Sequence, residues 1–146
     1  MTASLNLSLS GPLDQLRLVW QAGEALLESV AFEEDPEGTR YNVLVSVQEM
    51  VTNVFRHGYR DTDGPIEVRF TVDVDKFAVE IRDQAAEFDP TAISGPEPTE
   101  EMPVSAGGYG IMIVRSVMDD VGYERVDGWN CLRLTKFVKA PALAGS

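Results

Sequence analysis

Glu49, Asn53 and His57 recur every four residues in the stretch VQEMVTNVFRHGY, residues 47–59. On a helix that spacing places all three on one face, with ~5–6 Å between successive neighbours. A carboxylate and an amide stacked a turn apart can hold a proton and a metal ion. Val47, Met50, Val51, Val54 and Phe55 supply an apolar backing. The same pattern also describes a solvated polar stripe on an ordinary amphipathic helix.

Two further stretches carry chemistry. Asp83 ends a strand-like run and enters the loop QAAEFDP; a carboxylate there can accept a hydrogen bond from an exocyclic amine such as that of adenine, or simply shape a turn. Gly107-Gly108-Tyr109-Gly110 opens an apolar helical run. Glycines let backbone approach an anion closely, and the free N–H groups of a first helical turn point at it. A hinge with a helix cap would look the same. No Gly-Lys-Ser/Thr follows, so this is not a Walker loop; a long loop precedes it, so it is not a dinucleotide fingerprint.

The elements that must position these residues follow from periodicity. Alternation predicts a strand over 5–9, ended by Gly11-Pro12, and apolar spacing predicts a helix over 13–32 with Pro12 at its start. After the charged turn EEDPEG, a second helix begins at Glu37 or Thr39 and runs to His57, where Gly58 ends it. Strands over 66–74 and 77–82 flank the tight turn Asp75-Lys76, which makes them an antiparallel pair. Residues 84–106 hold four prolines and few apolar residues, a length that a compact domain keeps only for function or mobility. A helix over 107–121 and strands over 122–126 and 131–138, joined at Asp127-Gly128, complete the chain, with a frayed tail over 140–146.

Composition excludes several classes. The 146 residues suit one domain, and 44% apolar with 25% charged residues is ordinary for a globular protein. A net charge of -12 argues against general nucleic-acid binding, so an anionic ligand must be received locally by backbone N–H groups or a metal ion. Cys131 is the only cysteine and His57 the only histidine, which rules out an internal disulfide and zinc-ligand spacing. The N-terminal residues lack the pattern of a signal peptide, and no run approaches the ~20 apolar residues of a membrane span. A cytoplasmic location is expected.

Taken in order, E-x-x-x-N on a helix, a strand ending in Asp before FDP, and GG-x-G opening IMIVRSVMDDVGYER, the chain resembles the GHKL or Bergerat-fold ATPases over about residues 5–138. Within them it is most similar to the RsbW-type anti-sigma factors, which are also serine-protein kinases. The resemblance implies an α+β fold: a two-layer α/β sandwich whose mostly antiparallel sheet is covered on one face by helices. It implies a single domain over 1–146 with an ATP lid at 84–106 and a flexible tail at 139–146. For ATP and Mg as cofactors, it makes Glu49 the general base and Asn53 the ligand of the magnesium ion that bridges the phosphates. Asp83 would bind the adenine amine, and Gly107, Gly108 and Gly110 would wrap the phosphates. Such a protein phosphorylates a serine of a STAS-type anti-anti-sigma protein and captures a sigma factor, commonly as a homodimer, without touching nucleic acid or membrane. The alternatives are a module that sequesters the sigma factor with little turnover, or a switch kinase acting on a scaffold or phosphatase.

Three positions depart from the family pattern. Ala85 replaces a glycine two residues after the adenine-binding aspartate, and its methyl narrows that pocket. Ala106 stands where some kinase members carry arginine before the glycines. Asn130-Cys131 replaces a Thr-Thr pair, so a hydroxyl contact to adenine is lost or replaced by Asn130. A histidine-kinase role for His57 is rejected, because no room remains for a separate phosphoacceptor domain.

Overall fold

The computed structural model describes residues 2–10, 16–60, 63–92 and 108–139. Strand β1 (Ala3–Leu9) leads to helices α1 (Leu16–Leu27) and α2 (Pro36–Asn53). Strands β2 (Ile66–Val72) and β3 (Lys76–Asp83) follow, then helix α3 (Gly108–Val117), β4 (Asp120–Val126) and β5 (Trp129–Phe137). The five strands form one antiparallel sheet in the order β1-β2-β3-β5-β4. Helices pack on one of its faces, which makes the two-layer α+β sandwich that the motif order implies.

Strand alternation decides what faces the helices. In β2, Ile66, Val68, Phe70 and Val72 are buried; in β3, Phe77, Val79 and Ile81 are. They meet Val43, Val47 and Val51 of α2, and Ile111 and Val114 of α3, in one core. Each such side chain contributes roughly 1.5–3 kcal/mol on full burial. The opposite face is polar and tied by ion pairs, Arg82 with Glu67 at 2.9 Å and Arg133 with Glu80 at 3.1 Å.

Several boundaries differ from the periodicity reading, each for a local reason. Helix α1 stops at Leu27 rather than running to Phe32. Its last carbonyls are taken by the Ser29 hydroxyl on Leu26 and the Arg40 guanidinium on Leu27 and Val30, which turn the chain while Val30 and Phe32 stay buried. Helix α2 starts one residue before Glu37, at Pro36, with Asp35 as its cap accepting from the Gly38 N–H. The helix expected over 107–121 ends at Val117, because Asp119 enters the sheet: its N–H donates to the Thr135 carbonyl, and its carboxylate accepts from the Phe137 N–H at 2.7 Å. Pro12, Leu13, Ala106, Gly107 and the stretches 93–106 and 140–146 lie outside the described residues.

Candidate functional site

The last turns of α2 and the first turn of α3 meet at Gly110. A Cβ built on Gly110 would lie 3.2 Å from Asn53 Nδ2 and 3.4 Å from both Glu49 Oε2 and Met50 Cε. Only a glycine leaves this space open, so the E-x-x-x-N helix and the glycine turn face each other directly. Gly108 opens α3 two residues earlier; Gly107 lies outside the described residues. Gly110→Ala should leave the melting temperature unchanged or slightly higher, since alanine favours a helix by up to about 1 kcal/mol over glycine. If this end receives ATP, as the resemblance implies, the crowding of Asn53 should weaken that binding about tenfold, ~1.4 kcal/mol. Calorimetric titration checks this, and wild-type affinity would refute it.

His57 lies in a different kind of turn from Glu49 and Asn53. After Asn53 the helix widens into a π turn over Val54–Gly58, closed by the Tyr59 N–H on the Val54 carbonyl at 2.8 Å. Five-residue bonding changes the rise and the angle per residue there, so the α-helical spacing rule does not describe His57. His57 is exposed, while Phe55 turns into the core. Gly58 is brought against the loop after β3, where a Cβ would sit 2.8 Å from that of Ala85. Ala85 is therefore matched to a bare neighbour. Gly58→Ala should cost roughly 1–3 kcal/mol by overpacking, a fall in Tm of about 3–10 °C, and adding Ala85→Gly should recover most of it. Thermal melts of the two variants test this pairing.

The other end of the site is set by register. Asp83 continues the inward parity of Phe77, Val79 and Ile81, so its carboxylate enters the core side of the sheet and is only 6% exposed. It pairs with Asn130 on β5, which pairs with Arg125 on β4. These three residues form a polar row across one end of an apolar face. Asn130 Nδ2 donates to Asp83 Oδ1 at 2.9 Å and to the carbonyls of Ala85 and Ala86 at 3.2 and 3.1 Å. Its Oδ1 accepts from Tyr123 Oη and from Arg125 Nη1, the latter at 3.0 Å. Arg125 Nη1 also donates to the Ala85 carbonyl at 2.8 Å, and Asp83 Oδ1 accepts from the Ala85 N–H at 2.9 Å. Burial pushes the Asp83 carboxyl above its usual range, while the hydrogen bonds from Asn130 and Ala85 and the charge of Arg125 pull it back down.

Between Asn53 and Asp83 runs a cleft that opens to solvent. Met50, Val54, Ile81, Phe88 and Leu132 give it apolar walls; Asn53 and Asp83 stand at its polar ends. An apolar slot with one buried acceptor fits a flat heteroaromatic ring carrying an amine. The bare Gly110 beside Asn53 and Glu49 fits a phosphate chain. Among the described residues no three His, Cys, Asp or Glu side chains cluster as metal ligands. A magnesium ion held by Asn53 and by phosphate oxygens needs no such cluster.

The loop after Asp83 is anchored at its root by residues that motif reading did not single out. Tyr59 Oη accepts from the Gln84 N–H at 2.7 Å and donates to the Pro65 carbonyl, so the end of the helix holds the end of β3. Asp89 caps the short turn Pro90–Ala92 through the Thr91 N–H at 2.8 Å, and Arg115 of α3 donates to the Thr91 carbonyl. Parity was the available signal for Tyr123 and Arg125. Both share a strand face with Val121, and an inward-facing arginine at a strand end calls for an acceptor.

Comparison with known proteins agrees with this geometry. A family model described as the histidine kinase-like ATPase domain matches residues 9–136. The chain is 29% identical over 139 residues to the serine/threonine-protein kinase BtrW of Bordetella bronchiseptica, covering 92% of each. It is 31% identical over 101 residues to the serine-protein kinase RsbW of Bacillus licheniformis, covering 64% of this chain and 62% of that protein. RsbW of Staphylococcus aureus is 29% identical over 102 residues, with 65% and 64% covered. With the match spanning both the Glu49/Asn53 helix and the Asp83 strand end, the chain belongs to the family of histidine kinase-like ATPase domains.

Proposed function

We propose that this protein is an ATP-dependent protein serine kinase of the RsbW type, which phosphorylates a STAS-type anti-anti-sigma protein and, in its other partnership, holds a sigma factor. The observation that supports it best is the meeting of Glu49 and Gly110 with Asn53, which lines the same cavity as Asp83. The kinase names of the relatives, BtrW over nearly the whole chain, point the same way.

Bound Mg-ATP supplies the phosphoryl group and the counter-charge for its transfer. The chain's own residues do the rest. Asp83 accepts the adenine amine, and Met50, Val54, Ile81 and Leu132 exclude water from the ring. Asn53 would hold the magnesium ion, and the backbone N–H groups at the start of α3 would receive the phosphates, where the helix dipole favours them. Glu49 takes the proton from the incoming serine hydroxyl. The strong negative charge of the chain makes that local reception necessary.

The test is transfer itself. Incubation with labelled ATP, magnesium and a serine-bearing STAS protein encoded beside this one should give phosphoserine on the STAS protein. ATP binding without transfer to such a partner would overturn the kinase reading. It would favour the sequestering module instead, a reading that Ala106 in place of the family's arginine supports. The expected homodimer and cytoplasmic location belong to the same proposal; among the described residues no helix is long and apolar enough to cross a membrane.

A further inference from the structure

The amide of Asn130 is surrounded in an ordered way. Every neighbour of Nδ2 is an acceptor: the Asp83 carboxylate and the carbonyls of Ala85 and Ala86. Both neighbours of Oδ1 are donors, the Tyr123 hydroxyl and the Arg125 guanidinium. An amide can be turned end for end with little change in shape, so its direction is decided by its partners. Were Tyr123 and Arg125 apolar, nothing on that side would hold the oxygen away from Asp83. A flipped amide would then set its oxygen against the carboxylate and against two carbonyls.

We propose that Arg125 and Tyr123 are positioning residues for nucleotide recognition: they lock the Asn130 amide so that it holds the Asp83 carboxylate and the Ala85 and Ala86 carbonyls of the loop behind it. Arg125 reaches the same carbonyl independently, through its 2.8 Å bond to Ala85. The lock lies on β4, an edge strand, and acts across β5 on β3, because the register aligns Arg125, Asn130 and Asp83 in one row. This inference rests on the reading of the cavity as a nucleotide site.

The lock has a signature that packing alone would not produce. Asn130 and Arg125 both favour the ionised form of Asp83, and burial opposes it. Tyr59 is the other titratable group whose interaction with Asp83 is resolved, and Glu87 and Asp89 act on Tyr123 rather than on Asp83. Removing the lock therefore moves protonation of Asp83 to higher pH, and the acid limit of ATP binding moves with it.

The experiment is calorimetric ATP titration of wild type, Arg125→Gln, Arg125→Lys and Tyr123→Phe over a range of mildly acidic to neutral pH. Arg125→Gln should weaken binding about tenfold and shift its acid limit upward; Tyr123→Phe should weaken it about threefold in the same direction. Arg125→Lys should restore most of the affinity and the wild-type pH profile. Tyr123→Phe removes one oxygen only, so it remains informative if Arg125→Gln does not fold. Folded variants with wild-type affinity and an unmoved pH profile would overturn the lock. Wild-type protein that binds no ATP would overturn the nucleotide reading beneath it.

Discussion

Glu49→Ala should bind Mg-ATP within about threefold of wild type yet transfer phosphate 10²- to 10⁴-fold more slowly, on the order of what a positioned general base contributes. Glu49 Oε2 would lie 3.4 Å from a Cβ built on Gly110 and does not line the cavity, so its loss removes little binding surface. Glu49→Gln should match the alanine variant, because it keeps the shape and loses the basicity. Quantifying phosphoserine on the STAS protein by mass spectrometry, beside ATP titrations, separates the two quantities. Asn53→Ala should behave in the opposite way, losing magnesium-dependent affinity first. If Glu49→Gln kept near-normal transfer, the base would have to be sought elsewhere.

Asp83→Asn should lower ATP affinity about 10²-fold or more, since a charge-assisted acceptor worth roughly 1.5–3 kcal/mol is replaced, at one of its two atoms, by a donor facing a donor. The fold should not suffer. An asparagine Oδ1 can still accept from Asn130 Nδ2 and from the Ala85 N–H, both now 2.9 Å from Asp83 Oδ1. Burial holds the folded carboxyl above its unfolded range. A group shifted in that direction adds stability only below its unfolded value, and the contribution is lost as pH rises through the folded one. At neutral pH the ionised Asp83 is therefore a net cost, and the asparagine removes it. Tm at about pH 7 should stay level or rise, with the advantage fading as pH falls into the range where the carboxyl protonates in both states. A variant that loses both ATP and several degrees of Tm would contradict this account.

Much of this site was legible in one dimension. The sequence marks Asp83 as a strand end entering a loop; that it faces the core follows from the strand's alternation in the structure. The glycine run opening IMIVRSV places Gly110 at a helix start. Its nearness to Asn53 was legible only through the family resemblance, since no local pattern says which two helices face each other. The four-residue rhythm of Glu49, Asn53 and His57 gave no sign of the change of turn at its last member, because nothing in VFRHG announces a switch to five-residue bonding. Asn130 was singled out as a stand-in for a lost hydroxyl; its polar atoms are all engaged by protein groups, in a row that depends on strand order and register. Arg125 and Tyr123 escaped notice for the same reason. Their meaning lies in what stands opposite them.

The wide turn at Val54–Gly58 also changes how length should be understood along this helix. It takes up one residue more than a regular α-helix would use to cover the same arc. A one-residue deletion between Asn53 and Gly58 would thus not shorten a loop. It would convert the wide turn into a regular α-helical one while keeping Gly58 and Tyr59 close to their present places against Ala85, Gln84 and Pro65. The wide turn is in that sense where this helix absorbs a residue, and a relative one residue shorter there would keep the same anchor with an ordinary helical turn.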